Sequence, residues 1–266
     1  MLRRSLLALI ALVGMLFLSV PIAVLALRTF ETRAWENLQG SVVPDAICLS
    51  FITTALTVVV TLVFGTPLAY ILARWRFPGR RIINVLVELP IVLPPAVAGL
   101  ALLLSLGRRG LFGPLLESAD IILPFSMAAV VIAQTFVSAP FYVRAAQVGF
   151  QGVPRDIEDA ARVDGAGGIP LFFLVTVPLA ARTLGAGIVL TWARALGEFG
   201  ATILFAGSLQ GRTQTMPLLI YNILERDIDA AVTTGLLLVG LALVALLISQ
   251  WLSHRPDDAD PISGAY

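Results

Sequence analysis

The chain is 266 residues long, 58% hydrophobic and only 13% charged, with a mean hydropathy of +0.92. Soluble domains carry roughly 25% charged residues, so no ordinary water-facing surface can be assembled here and the bilayer is the relevant solvent. The net charge of +1 offers nucleic acid no basic surface. All 18 basic residues are arginine, which excludes a Walker A phosphate loop with its essential lysine. A single histidine (His254) and a single cysteine (Cys48) exclude a disulfide scaffold or a Cys/His zinc site within one chain, so no metal or cofactor is expected.

A membrane-crossing helix needs about 20 apolar residues to span roughly 30 Å of hydrocarbon. Ser5 to Leu27 is the first such run. Arg3 and Arg4 precede it as in a signal peptide, but it is too long for an h-region and lacks a clear A-x-A cleavage site, so it reads as a retained helix. Ala46 to Ala73 is the second, and Leu89 to Gly107, starting near Ile82 and tolerating Glu88 close to one end, is the third. Ile121 to Val143, Thr183 to Ala206 (interrupted by Arg194 and Glu198) and Ala230 to Ser253 complete six spans. The expected fold class is an all-α membrane protein with one transmembrane domain over 1–253 and a short tail over 254–266, in which His254 is solvated and idle.

Arginine placement sets the orientation, because short cytoplasmic loops carry the excess positive charge. With the N-terminus inside, cytoplasmic segments collect 11 arginines against six outside, and the loop Arg74 to Arg81 alone supplies Arg74, Arg76, Arg80 and Arg81. Both termini are therefore expected in the cytoplasm. Cys48 lies near the outer face.

Between the fourth and fifth spans, roughly Arg144 to Arg182, runs the longest cytoplasmic segment. Pro154 followed by RDIEDAARV predicts a short helix, since proline suits a first turn and acids there complement the positive dipole end. Gly165, Gly167 and Gly168 end it, and Pro170 and Pro178 punctuate the return to the membrane. Ala160 and Ala161 give it a small, smooth face suited to docking in a groove of another protein.

In the third span Pro90, Pro94 and Pro95 remove backbone donors and break the helical ladder. Irregular backbone at membrane depth packs on protein or lines a cavity, so this segment reads either as a kinked packing helix or as part of a translocation path. Ala96, Gly99 and Ala101 permit close approach of a neighbour. Arg194 and Glu198, spaced i,i+4, share one face of the fifth span near its middle. Charges there pair or face water. They form a self-neutralising structural pair, or they sit beside a pathway or gate where Arg194 attracts an anion and Glu198 keeps the binding weak, as a conduit requires.

The segment from Asp159 resembles the EAA loop of ABC-importer permeases, whose pattern is E-A-A-x-x-x-G, nine residues, then I-x-L-P. The match runs Asp159-Ala160-Ala161, Gly165 and Val175-Thr176-Val177-Pro178. The departures are Asp159 in place of glutamate, with Glu158 beside it available to share the role, and the absence of basic residues over Gly167 to Leu174. The segments VELPIVLPPAVAGLALLLSLGRRGLFGPLLE and RALGEFGATILFAGSLQGRTQTMPLLIYNILERDIDAA resemble the oxyanion group, the molybdate, tungstate and sulfate permeases. GEFGAT and GRTQTMPLLIY look closest to molybdate permeases, although sulfate permeases share the GEFGA core.

The resemblance implies a type I importer permease fold, with Glu158, Asp159, Ala160, Ala161 and Gly165 coupling to an ATPase and Pro94, Pro95, Arg194 and Glu198 at the translocation path or gate. It implies no catalytic residue on this chain. It also implies a homodimer with a second copy of itself, two cytoplasmic ATP-binding-cassette subunits, and an external oxyanion-binding protein that confers selectivity. A stand-alone secondary transporter would need intramembrane coupling-ion ligands and repeats, and Glu88, Arg194 and Glu198 are few. An intramembrane hydrolase lacks its histidine or paired aspartates.

Overall fold

A computed structural model describes residues 2–32 and 42–253, and every described element is helical. The expected tail over 254–266, with His254, and part of the first external loop lie outside the described residues. Helix α1 (Leu2–Thr32) packs chiefly against the final helix and keeps its apolar face uncovered. Helix α2 (Val42–Arg74) has 33 residues, or about 50 Å at 1.5 Å per residue, and so outreaches the hydrocarbon. Helices α3 (Arg80–Val92) and α4 (Pro95–Leu106) follow, then the short α5 (Gly113–Ser118) and α6 (Met127–Gly152). Next come α7 (Arg155–Val163), α8 (Gly168–Leu171), a π-helical turn (Phe172–Thr176) and α9 (Val177–Leu196). Helices α10 (Gly200–Phe205), α11 (Met216–Leu224) and α12 (Ile228–Ser253) close the chain.

Four described helical stretches are long and apolar enough to cross a membrane: those beginning at Leu6, Val42, Met127 and Gly168. The pair α3 and α4 makes a fifth if taken as one span, and Ile228–Val244 of α12 is a shorter apolar stretch. Three expected spans are altered. The third is not one helix: α3 and α4 meet at 116°. Of its prolines, Pro90 is absorbed inside α3, while Leu93 is extended before Pro94 and Pro95 starts α4. The fourth starts at Met127 rather than Ile121, because the Ser126 hydroxyl accepts from the Ala129 N–H and caps it there. It continues to Gly152, which places Arg144 on a helix and shortens the following loop. The fifth breaks at Gly197, and its last residues form the separate α10.

The centre of the bundle is α6, with α2 and α9 packed on it. Small residues permit this: a Cβ on Gly187 of α9 would come within 2.8 Å of the Ala145 Cβ on α6. One apolar cluster, including Leu72, Tyr142, Phe150 and Leu184, fills the end of the bundle nearest α7. A second joins α4, α6 and α10 through Ala98, Leu102, Val130, Val137 and Phe205. Buried hydroxyls lie between them: Thr57 donates to Gln134 Oε1 at 3.0 Å, and Thr191 donates to the Ser138 carbonyl at 3.3 Å. In a medium without water such groups must find partners inside the protein.

Candidate functional site

The predicted loop helix is α7. Pro154 stands immediately before it as N-cap, Asp156 and Glu158 occupy its first turn, and Arg162 its last. Asp156, Glu158 and Arg162 have the sign that the helix dipole favours, whereas Arg155 at the first position and Asp164 at the C-cap do not. The C-terminus is a Schellman turn: the Ala166 N–H donates to the Ala161 carbonyl and the Gly165 N–H to that of Arg162. Gly165 has φ of +90°, with nothing near its Cβ position, so the backbone conformation rather than space selects glycine.

Neighbours in sequence, Glu158 and Asp159 differ in burial. Glu158 is buried, and its Oε1 accepts from Arg74 Nη2 and from Thr176 Oγ1, each at 2.8 Å. The same Arg74 nitrogen donates to the Val153 carbonyl at 3.1 Å. One carboxylate thus ties α7 to the end of α2 and to the π-helical turn. The pair's side chains are 9% and 4% exposed, and at such burial an ion pair is sustained only by added hydrogen bonds. Glu158 is therefore not free to share the outward role considered for it beside Asp159. Asp159 is exposed and pairs with Arg162 on its own helix. Ala160 is exposed and Ala161 half-buried, so Ala160 with Ile157 and the 88% exposed Val163 forms an uncovered apolar surface.

The two other predicted segments meet. Gly200, at the start of α10, abuts Pro95 at the start of α4 so closely that a Cβ on the glycine would overlap the proline ring. One turn on, a Cβ on Gly99 would lie 2.8 Å from the Ala201 carbonyl oxygen and 2.9 Å from the Leu204 Cβ. The close approach expected of Gly99 is present. Beside this crossing, Glu198 fills the break between α9 and α10. Its Oε2 accepts from Arg194 Nη1 and its Oε1 from the Ala201 N–H, both at 2.8 Å. The carboxylate so neutralises the arginine and caps α10 at once. The Glu198 side chain is 1% exposed and that of Arg194 30%. Pro94 and Pro95 are exposed on the single chain.

Sequence reasoning missed Arg74, Thr176 and the ion pair between Glu88 on α3 and Arg144 on α6, at 2.8 Å. Arg74 and Arg144 had counted only as topological arginines, Thr176 only as a spacing residue, and Glu88 as an acid near a helix end. The Glu88 and Arg144 side chains are 43% and 59% exposed, although both belong to apolar helices. Among the described residues, no three His, Cys, Asp or Glu side chains converge on a metal-sized site.

Residues 65–257 match the family described as binding-protein-dependent transport system inner membrane component. The chain is 43% identical over 237 residues to a molybdenum transport system permease protein of Mycobacterium tuberculosis, covering 89% of this chain and 90% of the relative. It is 36% identical to a sulfate transport system permease protein of Synechococcus elongatus, covering 90% and 85%. Among solved structures, a bacterial ABC transporter that imports the acidic polysaccharide alginate superposes with a TM-score of 0.76 at 17% identity. That superposition covers 96% of each chain.

Proposed function

The chain belongs to the family of binding-protein-dependent transport system inner membrane components, and on that premise we propose that it is the pore-forming subunit of an ATP-driven importer of molybdate. The observation that carries the anion is the 43% identity, over nearly the whole chain, to a permease named for molybdenum. In this reading residues 1–253 are the transmembrane domain, both termini are cytoplasmic, and 254–266 is a cytoplasmic tail. Two copies enclose the pore. The half-exposed Glu88–Arg144 pair supports this, because charges on apolar helices require cover by protein or water rather than lipid.

In mechanism, α7 is the coupling helix and seats on one of two ATP-binding-cassette subunits. Asp159, Ala160 and Gly165 belong to its docking end, Ala161 backs it, and Glu158 holds it to the bundle. ATP-driven closure of the two ATPases draws the two α7 helices together. Through the Glu158 contacts that motion reaches α2 and α9, and the pore turns outward to receive an anion from an external binding protein. At the crossing of α4 and α10, Pro94 and Pro95 hold the wall of the path rigid. Arg194 offers an oxyanion a partly neutralised guanidinium, because Glu198 takes up much of its charge. Passage past such a site is weakly bound, and selectivity rests with the binding protein.

The test is uptake of labelled molybdate by vesicles carrying the permease with its ATPase and binding protein. Unlabelled molybdate and tungstate should compete strongly and sulfate poorly. Sulfate competing as well as molybdate would favour the sulfate reading, for which the Synechococcus relative speaks. ATP-independent uptake would make the chain a secondary transporter.

A further inference from the structure

Between α2 and α3 the chain turns through Trp75 to Gly79, and a cavity of about 580 Å³ opens there. Arg76, Arg80 and Arg81 line it together with Asn84, and no acidic residue does. None of the three arginines forms an ion pair among the described residues. Arg80 Nε is also buried with no hydrogen-bond partner. A buried donor left unmade is costly, and here it belongs to a cavity-lining arginine. In the first turn of α3 the Arg80 N–H donates to the Phe77 carbonyl, and those of Arg81 and Ile82 have no acid or side-chain cap beside them. The apolar surroundings define the setting. Ile82, Val85 and Leu86 stand uncovered along α3. A basic cluster beside an apolar helix face makes a surface that meets headgroups and acyl chains together.

We infer that this cavity binds the phosphate of an anionic phospholipid in the leaflet that this end of the bundle faces. The three guanidinium groups, Asn84 and the start of α3 take the headgroup, while the acyl chains lie along Ile82, Val85 and Leu86. The lipid is the source rather than a free anion, because the apolar strip continues from the cavity along the outside of α3.

Native mass spectrometry of the purified full chain, released from nanodiscs of equal phosphatidylglycerol and phosphatidylcholine, tests this. A cationic side chain near an anionic lipid surface is worth roughly a fivefold gain in affinity. Three of them, discounted for water in the cavity, should retain phosphatidylglycerol at least about tenfold over phosphatidylcholine. The variant R76Q/R80Q/R81Q should lose that preference. R76K/R80K/R81K should keep most of it, and R108Q/R109Q should leave it unchanged. A preference that survives the glutamine variant, or that falls equally in the R108Q/R109Q control, overturns the proposal. So does displacement of the lipid by millimolar inorganic phosphate, which would assign the cavity to a soluble anion. A glutamine variant that fails to accumulate leaves the comparison to the lysine variant and the control. Equal lipid ratios in wild type would then refute the site. The measurement needs neither ATPase nor transport, so it is independent of the importer reading.

Discussion

The partners of the buried Glu158 carboxylate lie on two separate elements. Glu158→Gln should preserve the shape but leave Arg74 with an uncompensated charge at 9% exposure, a change costing about 3 kcal/mol. Thermal unfolding of the detergent-purified protein should show it, together with ATP hydrolysis that no longer drives uptake. The exchange Arg74→Glu with Glu158→Arg should recover part of both, and a swap as defective as either single change would deny the pair its role. Glu198 yields a second prediction. Glu198→Ala removes the contact to the Ala201 N–H, worth about 1 kcal/mol as a cap, and frees the Arg194 charge. Molybdate should then bind more tightly to the permease and cross more slowly, read as a lower KM with a lower maximal rate. A rate loss without any fall in KM would make Glu198 purely structural. Arg194 and Glu198 were legible as a pair because i,i+4 spacing is a local property. Arg74 and Glu158 lie 84 residues apart, and nothing short of the packed bundle makes them neighbours.

At the level of elements, proline and glycine punctuation was readable but its three-dimensional result was not. The three prolines announced a break in the third span, yet only the pair at Pro94 and Pro95 supplies it, and no local pattern sets an angle of 116°. Nor does sequence spacing reveal that Pro95 abuts Gly200, since the two belong to different helices. Gly200→Val should therefore be severe. The branched side chain has no room beside Pro95 and forces α4 and α10 apart, so membrane-inserted protein should persist while uptake falls at least about tenfold, the scale of 1–3 kcal/mol for overpacking. Gly200→Ala should be intermediate. Normal uptake by the valine variant would show that the crossing is slack. The helix of the EAA-like loop was the clearest element in the sequence, because an N-terminal proline, first-turn acids and a terminal glycine all lie within about a dozen residues.

Over the whole molecule, hydropathy marked the apolar stretches that fold as long helices, since that pattern follows from the bilayer rather than from the details of packing, and arginine counting supplies the orientation proposed above. What hydropathy left out was which helix lies at the centre: α1 is the more apolar, with a mean hydropathy of 2.7 against 1.3 for α6, yet α6 is the one enclosed and α1 packs mainly on α12. The proposed orientation has a simple test because Cys48 is the sole cysteine and is exposed near the start of α2. A membrane-impermeant maleimide should label it in intact spheroplasts. Labelling only after permeabilisation would reverse the topology.

The tie between α7, α2 and α9 has a mechanical consequence. Both of its hydrogen bonds end on a single carboxylate oxygen, Oε1 of Glu158. A push on α7 is therefore divided at one atom between two struts, and neither can be loaded without straining the other. The linkage behaves as a yoke with no play, which carries a displacement of about an ångström from the bundle's end into its interior instead of absorbing it in a soft loop.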